Sequence, residues 1–454
     1  MVTHTLHDIA AKKSAFARRR GQYSWALLDW AHQPYFTLIT TFIFAPYFAT
    51  SFIGDAVRGQ EIWGYSQSFV GATIAVLSPV LGAIADRIGR RKPWIAALGV
   101  SYVTGNALLW FAVPLDAGAF WLVMGAVVLA AISAEFIIVF SNAMLPDLVS
   151  PARLGGLSGF GWGLGYVGGL LSLVMIIGMP GLKEMPGQMV GPLTAFWFLL
   201  FAPPFFLFTP DRAVTGLRVG QAVREGLAQL RQTLTHARSY GNVMRFLVAH
   251  MIYADGLSAL FAFGGIYGAG LFGWEIFTLG LFGIILIIFA AAGAFAGGWA
   301  DDRFGSRRTI LVSVAGLCIA LLGVISIQRD SILFGIPVEP MQPGGTPFSS
   351  VPELAYLVCG VMMGIFGGPA QAASRTLLAR LAPREMAGEF YGLFAMSGKA
   401  TSFLAPLLIG LTTAALHSQR AGMSVILLFL ITGFAVLLRV KEAGRQAPEH
   451  AAFS

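Results

Sequence analysis

Charge is the scarcest property of this chain. Asp, Glu, Lys and Arg make up 11% of its 454 residues, where a soluble domain carries about 25%. With hydrophobic residues at 56%, a soluble fold of this length is excluded, because so much apolar surface could not be hidden from water. Cysteine is nearly lacking too. Cys318 and Cys359 both lie in apolar runs and read as packing residues, which excludes a disulfide framework or a cysteine metal centre. There is no Walker loop, no cluster of metal-ligating residues and no serine-hydrolase elbow. ATP-driven pumping by this chain alone, enzymatic chemistry and a bound cofactor or metal are therefore not expected. The net charge of +8 does not mark a nucleic-acid partner, because Lys and Arg sit in short intervals between apolar runs.

What is present is length in apolar segments. Twelve are long enough to cross a bilayer, at about 20 residues each. They fall near 24–52, 62–85, 93–114, 118–144, 154–180, 190–208, 243–271, 275–300, 308–327, 352–380, 387–416 and 421–439. The longest polar interval, Thr209–Asn242, divides them six and six. The expectation is an all-α membrane protein of two six-helix halves, 1–208 and 243–454, joined by a linker at 209–242. Lys12, Lys13 and Arg18–Arg20 precede the first run, which is too long for a signal-peptide core and lacks a small-residue cleavage site. No cleaved signal is expected.

The distribution of positive charge orients these spans. Of the 30 Lys and Arg, 25 fall on the side that holds the N-terminal arm, the central linker and the tail. Four fall on the other side (Arg58, Lys183, Arg329 and Arg420), and Lys399, deep within a span, is assigned to neither side. By the positive-inside rule both termini and the linker are expected in the cytoplasm. In the linker Val223, Leu227, Leu230 and Leu234 recur at helical spacing, with Arg224, Arg231 and Arg238 on another face. This predicts a helix lying along the membrane surface. The interval Gln328–Pro352, rich in Pro and Gly, is expected outside.

One stretch occurs twice. Gly82–Lys92 reads GAIADRIGRRK, and Gly298–Arg308 reads GWADDRFGSRR. Gly82, Asp86, Arg87, Gly89 and Arg91 match Gly298, Asp302, Arg303, Gly305 and Arg307 at a constant offset near half the chain length. A basic turn repeated between apolar helices points to two similar halves. A second pattern is a decoy. Gly163, Gly165 and Gly168 fit GxGxxG, but a dinucleotide site needs a preceding strand. Gly161, Gly165 and Gly169 repeat every four residues inside a membrane helix, which predicts close helix packing.

GAIADRIGRRK resembles the loop signature between helices 2 and 3 of the major facilitator superfamily, and 298–308 resembles its weaker second copy. Three further stretches narrow the resemblance. SWALLDWAHQPYFTLITTFIFAPYF at 24–48 is similar to the first helix of the Atg-type vacuole amino-acid effluxers and their bacterial relatives. SNAMLPDLVSPARLGGLSGFGWGLGYVGG at 141–169 is similar to their junction of helices 4 and 5. GGPAQAASRTLLARLAPREMAGEFYGLFAMSGKATSFLAPL at 367–407 is similar to their helix 10–11 block. The resemblance implies the major facilitator fold, with twelve helices in two pseudo-symmetric bundles around a central cavity, and alternating access by rocking of the bundles. It implies movement of amino acids out of a compartment, which in a bacterium means export across the inner membrane. The 161–169 stretch also partly resembles the exporter signature of helix 5, with its proline missing.

Charges inside spans are costly, by about 2.5–3.5 kcal/mol on insertion scales, and persist where they face protein or water. Asp29, with His32 and Gln33 nearby, lies in span 1. Asp255, with His250 and Tyr253, lies in span 7, and these two spans are symmetry mates that line the cavity in the resembled superfamily. Each aspartate reads as a proton or amine site, or as a buried helix-to-helix hydrogen-bonding group. Glu135 sits midway along span 4, and Lys399 about 18 Å into span 11. The two could pair across the cavity during transport, hold a substrate carboxylate, or form a fixed structural pair. Gln371 and Arg375 lie one turn apart in span 10, and Asn142 near the end of span 4. Arg375 could hold a carboxylate by two hydrogen bonds or serve as a gate. The resemblance implies a conformational latch at Gly82, Asp86, Arg87, Gly89, Arg90 and Arg91, with a second at Gly298, Asp302, Arg303 and Arg307. Ser306 replaces the position of Arg90 there and Asp301 adds an acid.

The reading that follows is a secondary transporter, a monomer in the lipid bilayer, for proton-linked efflux of amino acids or similar small polar solutes. A drug or sugar porter of the same superfamily stands as its alternative within transport. A non-transporting scaffold or receptor with this fold is the alternative of another class, and four charges inside spans argue against it.

Overall fold

The computed structural model describes residues 19–88, 90–149, 154–178, 187–211, 220–221, 224, 240–339, 346–381, 390, 393–394, 397–398 and 400–441. The first half consists of α1 (Arg19–Phe52), α2 (Ala56–Ile88), α3 (Lys92–Leu108), α4 (Phe120–Leu148), α5 (Leu154–Gly178) and α6 (Gly187–Phe208). The second consists of α7 (Gly241–Phe272), α8 (Ile276–Phe304), α9 (Ser306–Ser326), α10 (Val351–Leu381), α11 (Leu404–Leu416) and α12 (Gln419–Leu437). Among the described residues, ten of these are long and apolar enough to span a membrane. The long α2 and the shorter α11 complete the twelve expected positions. The predicted linker helix falls almost wholly outside the described residues.

Local chemistry sets the helix ends. Asp116 accepts hydrogen bonds from the backbone of Gly118 and Ala119 just before α4, so a side chain satisfies donors that the helix cannot. Ser418 does the same for Ala421 at the start of α12. Gly273 ends α7 in the left-handed conformation, with φ +69°, where a side chain would be strained. The basic stretch Gly82–Lys92 is less of a turn than its composition suggests. Gly82–Ile88 continue α2, and α3 starts at Lys92. The second copy is tighter, with Gly305 alone between α8 and α9. The interval Gln328–Pro352 carries a small antiparallel hairpin, β1 (Ser331–Ile332) with β2 (Ile336–Pro337), an exception to the all-α expectation.

α1 is not a regular α-helix. Pro34 leads into a π-helical stretch at Tyr35–Phe42, and Pro46 lies just before another at Phe48–Phe52. Proline removes a backbone donor and clashes with the preceding turn, and the wider spacing accommodates the break. The displaced upper half of α1 reaches the other bundle: a methyl on Gly265 of α7 would meet Thr41 and Pro46.

The halves meet mainly toward one end, the end that carries the β-hairpin. There α2 lies along α11, with Gly64 against Pro406 and Gly410, and Gly71 against the Phe403 backbone. Glycine at these positions lets two backbones approach closely. α5 meets α8 through Leu173 and Ile177 against Gly280, and Phe42 of α1 packs on Gly283. Polar groups join the same seam. Gln60 of α2, fully buried, donates to Thr413 Oγ1 at 2.9 Å and to the Gln419 carbonyl at 3.1 Å. Gln419 Nε2 donates back to the Ala56 carbonyl at 2.8 Å.

Candidate substrate cavity and charged turns

At the opposite end, where α1 begins and α12 finishes, several described polar groups pair inside their own half. Arg91 has a nearly buried side chain that donates from Nη1 to Asp147 Oδ2 at 3.0 Å. Asp211, just past α6, accepts from the backbone N–H groups of Arg91 and Lys92, each at 3.0 Å. An acid at the start of α3 also complements the helix dipole. Lys92 Nζ reaches the Phe206 carbonyl at 3.0 Å. In the second half Arg307, the counterpart of Arg91, donates to the Leu438 carbonyl at 2.8 Å. Asp301 accepts from Ser306 Oγ at 2.6 Å and pairs with Arg380 at 3.3 Å. The acid added in the second copy thus has a use: it ties the α8–α9 turn to α10. Arg90 is exposed. Gly89 and the side chains of Asp86, Arg87 and Asp302 lie outside the described residues, and Gly298 has open space around it. Arg303 is exposed, with its guanidinium 5.8 Å from the Trp299 ring.

The candidates of span 1 sit against α5. Gly161, Gly165 and Gly169 face Asp29, Gln33 and Thr37 respectively. Both sets recur every four residues, so one stripe of glycine receives one stripe of polar side chains. Of the GxGxxG glycines, Gly165 and Gly168 pack on α1, while Gly163 has open space around it; the packing surface is the four-residue repeat of Gly161, Gly165 and Gly169. His32 is buried, with Nδ1 2.7 Å from the Leu28 carbonyl of its own helix. Tyr102 on α3 donates to the His32 carbonyl at 3.4 Å. Glu135 on α4 is half-buried and lies near enough to Tyr35 to act on it electrostatically. Lys399 lies outside the described residues, so its pairing with Glu135 is not part of this geometry.

In the second half, His250 Nδ1 lies 3.1 Å from Ser397 Oγ, and its ring stacks on Phe394 at 4.1 Å. Tyr253 and Ser374 share a hydrogen bond of 2.6 Å between α7 and α10. Asp255, two residues further along α7, is buried. The next residue on α10 is Arg375, which is exposed, as are Gln371 one turn before it and Asn142 on α4.

Arg375 is where the two halves meet again. Its guanidinium lies 5.5 Å from the ring centroid of Trp162 on α5, and its charge also reaches Tyr166 and His250. Trp162 and Tyr166 are themselves 5.9 Å apart and both exposed. By rise per residue, Arg375 stands about 9 Å and Trp162 about 12 Å inside the ends of their helices. An exposed guanidinium at that depth faces water or a polar partner rather than lipid. α5 thus has two working faces. Its glycine stripe holds Asp29 and Gln33, and its aromatic face holds Arg375. The aromatics are not legible in the sequence as site residues, because Trp and Tyr inside a span look like ordinary apolar lining.

Solved structures share this architecture. A point mutant of the nucleoside transporter NupG superimposes with a TM-score of 0.63 at 12% identity, over 93% of this chain and 98% of its own. The D-xylose-proton symporter gives 0.62 at 15% identity, over 92% and 97%. Two six-helix halves of this kind, matching such structures nearly end to end, define the major facilitator fold of an integral, multi-pass membrane protein. Within that class, the match to the vacuole effluxer Atg22-like family runs over residues 49–448, and the chain belongs to that family. The uncharacterized MFS-type transporter YxiO of Bacillus subtilis (strain 168) is 26% identical over 441 residues, covering 92% of this chain and 94% of that one. Autophagy-related protein 22 of Kluyveromyces lactis is 24% identical over 414 residues, covering 85% and 80%.

Proposed function

We propose that this transporter moves amino acids or similar small polar solutes by proton-linked efflux across a bacterial inner membrane, as a monomer with both termini in the cytoplasm. The observation that carries the reading is Arg375 over Trp162. A fixed cation inside the cavity, touching both halves, is suited to a carboxylate by charge and by bidentate geometry. Gln371 and Asn142, also exposed, are neutral partners for the rest of a polar solute. Asp29 and Asp255 are the proposed amine or proton groups. The seam at the hairpin end then corresponds to a closed outer side, with the cavity facing the cytoplasm. The latch assigned to Gly82–Arg91 and Gly298–Arg307 would engage in the opposite state. Arg91 and Arg307 bonded within their own halves are compatible with a disengaged latch.

The test is counterflow in proteoliposomes with a labelled amino-acid mixture, with and without an imposed proton gradient. Expected are exchange of at least one amino acid, acceleration by the gradient, and loss of both in Arg375→Ala. Exchange of a sugar or drug but no amino acid would move the assignment to the other porter class. No solute moving at all, with biological activity retained, would favour the scaffold.

A further inference from the structure

A crevice on the outer face of the second half serves no step of the transport reading. It lies between α8 and α9, which join at Gly305 and then splay, while α10 packs closely on both and forms the floor. Its volume is about 490 Å³. Gly293, Ala296, Gly297 and Ala300 line the α8 wall, Val312 the α9 wall, and Ile365, Phe366 and Pro369 the floor. Small residues keep the α8 wall low. Gly297 sits directly against Pro369, so the floor itself is tightly packed. The flanking Trp299, Phe304 and Val312 are 61%, 50% and 63% exposed, and in a membrane-spanning helix pair such surfaces face acyl chains.

The mouth of the crevice is cationic. Arg308 forms part of its lining and is exposed, and among the described residues it has no hydrogen bond or ion pair. Arg303 stands at the same end, within 5.9 Å of the Phe304 ring. An apolar slot a few residues deep in the membrane, with an arginine at its rim, matches an amphiphile with an anionic head. We propose that this crevice is a binding site for one anionic phospholipid, with an acyl chain between α8 and α9 and the phosphate at Arg308. The site is separate from the cavity, because α10 stands between them with Arg375 and Gln371 on another face. A chain wedged between α8 and α9 fixes their splay, and so bears on the turn that carries the second copy of the charged motif.

The test is native mass spectrometry of the purified full-length protein offered equal phosphatidylglycerol and phosphatidylcholine of the same chain length. Wild type is expected to retain about fivefold more phosphatidylglycerol, the scale of one interfacial arginine. Arg308→Gln, on the exposed rim, should bring the ratio near one. Ala296→Trp, which fills the slot, should reduce retention of both lipids several-fold. Where Ala296→Trp fails to yield monodisperse protein, Ala300→Leu fills the same wall with less bulk. Equal retention of the two lipids by wild type, or wild-type retention by either class of variant, would overturn the site.

Discussion

Gln60 of α2 donates its amide to Thr413 Oγ1 of α11 at 2.9 Å, and that bond crosses from one half of the molecule to the other. With the bond to the Gln419 carbonyl, it ties α2 to two helices of the second bundle at the hairpin end. Any opening at that end must separate these groups. Gln60→Leu keeps the bulk and removes both bonds. At about 0.5–1.5 kcal/mol each, the equilibrium between closed and open should shift by a factor of about 5–150. Spin labels at Arg58 and His417, in a variant lacking Cys318 and Cys359, should report a longer and broader distance distribution. A distribution identical to that of the unmutated pair would remove Gln60 from the gate.

The glycine stripe of α5 makes a graded claim. A methyl on Gly161 would come within 2.5 Å of Asp29 Oδ2 and 3.1 Å of the Trp25 ring. A methyl on Gly169 would collide with Thr37, whereas one on Gly165 would sit 3.4 Å from Gln33 and one on Gly163 would meet nothing. Overpacking of this kind costs about 1–3 kcal/mol. Gly161→Ala and Gly169→Ala are therefore expected to lower the midpoint of thermal unfolding in detergent by several degrees. Gly165→Ala and Gly163→Ala should leave it nearly unchanged. An equal loss at all four would mean that some constraint other than the α1–α5 seam, such as lipid contact, sets the glycines, since helix propensity alone favours alanine.

Arg91 is expected to matter for stability as well as for any latch. Its side chain is 3% exposed and holds Asp147, which is 34% exposed, so the pair is shielded mostly on one side. Arg91→Ala removes a charge-assisted bond of about 1.5–3 kcal/mol. Asp147→Asn, which keeps a hydrogen-bond acceptor, should cost less. Unfolding of the two variants in detergent measures both. Equal stability of Arg91→Ala and wild type would show that the pair contributes nothing in the folded transporter.

These residues also mark how far the fold and the site could be read from sequence. The twelve spans and the repeat were legible because each rests on a long pattern: an apolar run, or a motif with a fixed offset. The π-helical α1 was not read, although Pro34 and Pro46 stood inside its span. A proline announces a break, but whether the helix kinks or widens depends on what packs against it. The partners of Arg91 were hidden for a different reason. Asp147 and Asp211 lie 56 and 120 residues away, and no local spacing links them. Gln60 gives no signal in the sequence, because charge is what marks a polar site inside a span and a buried amide carries none. Arg375 is legible in the sequence as a cation inside a span, while Trp162 and Tyr166 are not legible as its neighbours.

That last pairing gives the most discriminating variants. If Arg375 serves by charge alone, Arg375→Lys should retain transport, because an ammonium in the cavity still attracts an anion. If the planar guanidinium matters, for stacking on Trp162 and for two-point binding of a carboxylate, Lys fails nearly as badly as Ala. The 5.5 Å approach to the Trp162 ring favours the second outcome. A cation–π contact is worth about 0.5–2 kcal/mol, so Trp162→Leu is expected to weaken apparent substrate affinity by about two- to thirtyfold. Trp162→Phe, which keeps an aromatic face, should recover part of that loss. Arg375→Lys should reduce counterflow at least tenfold while the protein remains monodisperse and thermally stable. The decisive comparison is the double variant Arg375→Lys with Trp162→Leu. If the two side chains work as one unit, the second change adds little to the first. Fully additive losses would mean that Arg375 meets substrate independently of the ring, and that Trp162 acts in the cavity by another contact.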